Sequence, residues 1–169
     1  MPEPNVITVR RLLAEAASAH DELLSRLPAE LQVSLPVDAQ GVTQAIDHLA
    51  VAAGLTHSER LELIKPHGVN PAVLHARVFG GAPLGRETVI GSFVDGARVR
   101  ADALGELADI VGGEQLGTAV RGLLVENPPP VESRGPEVVV ELRATYAAQE
   151  RAAMMIAAHL DAGLERRDV

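Results

Sequence analysis

The chain has 169 residues, 47% hydrophobic and 22% charged, with a formal charge of −8 and no cysteine. That length supports one domain with a sizeable core, and the missing thiols exclude disulfides, thiolate metal sites and Cys nucleophiles. Two Phe and one Tyr are the only aromatics, and the basic residues are dispersed. Nucleic acid therefore meets neither the phosphate-binding patch nor the stacking faces it favours.

The first helix is predicted from Asn5 or Thr8 to Arg26, where Leu27-Pro28 stops it. Val9, Leu12, Leu13, Ala16, Ala17, His20, Leu23, Leu24 and Leu27 recur at helical spacing, with Arg11, Glu15 and Glu22 outside. Residues 28–41 form a connector. A second helix is expected over Val42 to Ala53, closed by Gly54 at a position that a left-handed residue fills cheaply. Thr56-His57-Ser58-Glu59 fits a capping box for a third helix carrying Leu61, Leu63 and Ile64. Pro66 follows its end. Asn70-Pro71 reads as the start of another helix, Ala72 to Phe79, which Gly80-Gly81 closes.

Residues 87–101 admit two structures. Asp95-Gly96 suits a hairpin turn between apolar flanks. Ile90, Phe93, Ala97, Ala101, Leu104, Ala108 and Val111 instead keep helical steps of three and four. The adjacent apolar pairs Val89-Ile90 and Phe93-Val94 spoil a strand's alternation, so helix is the preferred reading. Gly112-Gly113 ends the run, and Gln115 to Val125 is expected as a further helix with Leu116, Ala119, Val120, Leu123 and Leu124 inward. A faint internal echo pairs Ala45-Ile46, Leu49-Ala50 and Gly54 with Ala103-Leu104, Leu107-Ala108 and Gly112 at constant spacing.

Asn127-Pro128-Pro129-Pro130 imposes an extended, stiff stretch. It divides the chain into a helical body (1–126), a proline-rich linker (127–135) and a C-terminal amphipathic helix (136–167). Pro136 presets the first helical position, Glu137 suits the positive end of the helix dipole, and Arg166 and Arg167 suit the negative end. Val139, Leu142, Tyr146, Ala153, Ile156 and Leu160 form a heptad-like seam with Gln149 in its gap. The fold class is all-α: a body of about six or seven short helices, then the linker and one long helix.

Candidate chemistry is sparse. His48, His57, His67 and His75 fall close together, but no pair has the spacing that puts two ligands on one helix face, so no metal site is expected. The stretch from Gly80 to Glu87 has the two glycines of a phosphate loop, yet Arg86 and Glu87 stand where Lys and Ser or Thr are needed. Residues 45–65 have the outline of a helix-turn-helix. Its second helix sets Glu59 and Glu62 against Arg60 and Lys65, a poor match to DNA phosphates. Asp102, Glu106 and Asp109 line one side of a helix and read as a solvated charged face. No cofactor is expected.

No apolar run approaches the roughly 18 residues of a membrane span. Met1-Pro2-Glu3-Pro4 lacks the basic-then-apolar pattern of a signal peptide. A cytoplasmic location is expected. Lys65 is the one lysine among 15 basic residues, and with heavy use of Ala, Val, Leu and Gly this fits a GC-rich bacterial genome.

The leading functional expectation is a non-catalytic interaction or regulatory protein. It would form a homodimer through Leu142, Tyr146, Ala153, Ile156 and Leu160 of the C-terminal helix. Met154-Met155 and the small residues around them suit close, adaptable packing. An alternative is a small-molecule-binding helical protein or enzyme with a pocket within residues 42–95, where His57, His67, His75 and Arg86 would be the polar groups. A DNA-binding regulator using residues 45–65 stands third.

Overall fold

A computed structural model describes residues 3–25, 40–64, 86–130 and 137–167. Within them the chain is all-helical and has no strand. The elements are α1 (Asn5–Ser25), α2 (Gln40–Ala52), α3 (His57–Ile64), α4 (Arg86–Glu126) and α5 (Glu137–Arg167). The helix expected over Ala72 to Phe79 and the glycine-rich stretch after it lie outside the described residues, as do residues 131–136.

Local chemistry sets the junction between α2 and α3. Gly54 takes φ 87°, its amide donates to the Val51 carbonyl, and the Leu55 amide donates to the Ala50 carbonyl. This pair of bonds closes a helix on a left-handed residue. Two residues on, the Thr56 amide donates to Glu59 Oε1 and the Glu59 amide donates to Thr56 Oγ1. The expected capping box is formed. Those bonds, the backbone one first, hold the Glu59 carboxyl below its ordinary range.

Residues 87–101 are helical, in keeping with the period of their apolar positions. Helix α4 is nevertheless not one straight rod. Gly113 adopts φ 70° and ψ −163° inside it, a region essentially reserved for glycine. The chain doubles back there. Arg121 in the second limb donates to Asp109 in the first, at 2.9 and 2.6 Å, and Arg98 reaches the Pro130 carbonyl at 3.1 Å. Residues 86–112 and 114–126 are thus two antiparallel limbs, broken at the double glycine expected to end the first. A side chain at Gly113 would force this conformation against its own Cβ. Gly113→Ala is expected to cost about 1–3 kcal/mol, read as a lower urea midpoint with an unchanged slope.

Helix α5 packs along α4. Gln149 meets Ala97, and the Arg100 guanidinium lies over the Tyr146 ring, 5.5 Å from its centre. Helix α1 runs antiparallel to both α2 and α5. Asn5 meets His48 and Asp161, whereas an added Cβ on Gly41 would sit 2.8 Å from that of Ala16. One core results, built from Val9, the α2 residues Ala45, Ile46, Leu49 and Ala50, the α4 residues Ala103, Leu104, Leu107 and Ala108, and Ala153 and Ile156 of α5. The apolar pairs in both halves of the faint internal echo are therefore buried in the same cluster, whereas Gly54 is exposed and Gly112 only partly buried. Two expectations need correcting: Ala17 and Ala119, expected inward, are exposed. Both occupy the margin of an apolar stripe, where helical phase alone is ambiguous.

The proline stretch is held by its neighbours. Thr145 of α5 donates to the Pro128 carbonyl at 2.9 Å, Arg98 of α4 donates to that of Pro130, and Pro130 is buried.

Candidate functional site

The seam on α5 lies inside the chain. Leu142, Tyr146, Ala153 and Ile156 are buried, and Leu160 is partly buried against the core. Thr145, Ala148, Gln149, Ala152 and Ala157 are buried too, so the stripe is broader than a heptad seam. The breadth follows from position, since α5 is packed by α1, α2 and α4 rather than by one partner helix. Gln149 spends its amide on the Ala97 carbonyl at 2.8 Å, while its Oε1 is buried without a hydrogen bond. An amide inside an apolar stripe fixes the register of the contact, because sliding would strand the donor as well.

A second polar cluster ties three helices together. Asp161 of α5 accepts from the Asn5 amide (2.8 Å), from Asn5 Nδ2 (3.0 Å) and from the Val6 amide (2.9 Å). A carboxylate thus satisfies the exposed amides at the start of α1, from a residue far away in sequence. Asn5 Oδ1 lies 2.9 Å from His48 Nε2. Because that oxygen can only accept, His48 Nε2 carries the proton and donates. This accounts for His48 as a fastener between helices.

Of the other candidate histidines, His57 alone is among the described residues. His57 is exposed, with its Nδ1 3.2 Å from Arg60. His67 and His75 lie outside the described residues. Arg86 opens α4, and its side chain lies outside them as well. Among the described residues no group of His, Asp and Glu could hold a metal ion. In the helix-turn-helix outline, Arg60 is directed back to Asp47 at 3.4 Å, and Glu59 and Glu62 are exposed on the same short helix.

Asp102, Glu106 and Asp109 keep to the exposed side of α4. Asp109 is joined to Arg121, whose hydrogen bonds hold its carboxyl below the ordinary range. Asp102 and Glu106 border a cleft of about 440 Å³ between α3, the two limbs of α4 and the proline stretch. A carboxyl lowered in the folded state favours folding above its unfolded pKa, and that gain is lost as pH falls through the folded value. The melting temperature of Asp109→Asn should accordingly lie below that of the parent at neutral pH, and the gap should close in acid.

A second concavity, larger and more apolar than that cleft, is one that the sequence alone does not outline. It is a groove of about 690 Å³ between α1 and α5, walled by Val6, Leu13, Met154, Met155 and Ala158 and rimmed by Arg10, Glu150 and Arg151. Met154 and Met155 are partly buried against the core cluster, as are Val6 and Leu13 across the groove, whereas Ala158 is exposed. Partial burial pushes the Glu150 carboxyl above its ordinary range. The Met154-Met155 pair is the one sequence signal for this surface.

No helix among the described residues is long and apolar enough to cross a membrane. Comparison of the chain with protein families, with curated proteins and with solved structures gives no match.

Proposed function

We propose that this chain is a non-catalytic helical interaction protein of regulatory type that self-associates through its C-terminal helix. The observation that carries this reading is the apolar groove between α1 and α5, whose residues Val6, Leu13, Met154 and Met155 pack on the core yet stay only partly buried. With most of α5 committed to its own body, the partly open face beside α1 is the one it can offer a partner. Here that face holds two methionines, whose unbranched side chains adapt to the surface they meet. The seam residues Leu142, Tyr146, Ala153, Ile156 and Leu160 act in this reading by fixing α5 in place, so that the groove beside α1 is presented rigidly. Location in a bacterial cytoplasm belongs to the same reading and rests on composition.

Sedimentation velocity over a wide protein concentration range is the direct test. The expected result is a concentration-dependent monomer–dimer equilibrium. A single monomeric species up to the highest concentration reached would end the self-association reading.

A further inference from the structure

The proposal of self-association leaves open which atoms meet. A two-fold dimer uses the same patch on both subunits, so the patch must complement itself in shape and charge. The α1/α5 groove meets the charge condition. Its rim carries one acid, Glu150, and two bases, Arg10 and Arg151. Among the described residues none of the three forms a hydrogen bond or ion pair within the chain. This sets them apart from the charged groups around the Asp109–Arg121 clamp, the Arg60–Asp47 pair and the Arg11–Glu3 pair, which are joined internally. The whole chain carries −8, and two such molecules repel across most of their surfaces. A rim that carries both signs lets two copies set acid against base where the rest of their surfaces repel.

The apolar lining adds to this. Val6, Leu13, Met154 and Met155 are only partly buried, so a further copy of the chain would remove more of their area from water. Partial burial also pushes the Glu150 carboxyl upward, and among the described residues no ion pair offsets the shift. An arginine from outside the chain would supply that offset.

We propose that this groove is the self-association face, occupied by the same groove of a second copy, with Glu150 of each subunit paired to Arg10 or Arg151 of the partner subunit. This rests on the self-association reading above and adds the residues that make it.

Charge exchange tests it on the intact chain. In Glu150→Arg every rim group is positive, and in the double variant Arg10→Glu/Arg151→Glu every rim group is negative. All three side chains are exposed, so each variant should keep its parent's helicity and melting temperature. Each alone should dimerise at least ~100-fold more weakly, since like charges set against each other across an interface cost several kcal/mol. An equimolar mixture should recover a dimer, now with one copy of each variant, resolved by native mass spectrometry. A parent that dimerises while both variants dimerise equally well would overturn this face and leave self-association standing. Variants that weaken association without recovery on mixing would overturn the pairing. A parent that stays monomeric would overturn both.

Discussion

Ile156→Asp is expected to abolish the cooperative unfolding transition of the chain. Ile156 is fully buried in the core cluster that joins α1, α2, α4 and α5. Removing an aliphatic side chain of that size from a packed interior costs about 2–5 kcal/mol. A carboxylate placed there, within an apolar cluster, adds the cost of burying a charge. Together these rival the whole stability of a typical domain, about 5–15 kcal/mol. The measurement is helical ellipticity against temperature, with Val140→Asp as the control. Val140 is on the same helix and is 68% exposed, so its variant should melt within about 0.5 kcal/mol of the parent. An Ile156→Asp protein that melts cooperatively near the parent's temperature would show that this residue is not in the core.

Much of the helical architecture is legible in the residues. The Thr56–Glu59 box, Gly54 at the end of α2, and the helical period from Ala97 to Val111 each act within a few residues of themselves. Short-range chemistry of that kind survives into the fold unchanged. Gly112-Gly113 is legible as a break, but not as a reversal that sets Arg121 against Asp109. The angle after a break depends on what the following limb packs on.

The α5 seam marks the limit of that legibility. A helical period identifies the buried face and says nothing of what buries it, because the same leucine and isoleucine pattern suits a neighbouring helix or another subunit. Gln149 and Asp161 illustrate the point at single residues. In the sequence Gln149 interrupts the seam, whereas in the fold it is the register pin, donating to Ala97. Asp161 has the sequence context of a solvated acid near a helix end, yet it caps α1 at the other end of the chain. The groove is less legible still. It exists only where α1 crosses α5, and its residues are ordinary ones on each helix alone.

Truncation after Pro130 should have the largest effect of all. It removes α5, which packs along α4, and opens the core cluster that holds Leu104, Leu107, Val120 and Leu124. Leu142, Tyr146 and Ile156 would be lost from the core, at about 1.5–3 kcal/mol of burial each. The Asp161 cap on α1 and the Thr145 bond to Pro128 go with them. Residues 1–130 alone are therefore expected to lose most of their ellipticity, to bind a hydrophobic dye and to aggregate. A soluble, cooperatively folding 1–130 fragment would instead show that α5 is a separate unit joined by its proline stretch. Adding residues 131–169 as a free peptide separates these cases further. If α5 completes the core, the peptide should restore helicity to the fragment in a saturable, one-to-one manner, and Ile156→Asp in the peptide should prevent it.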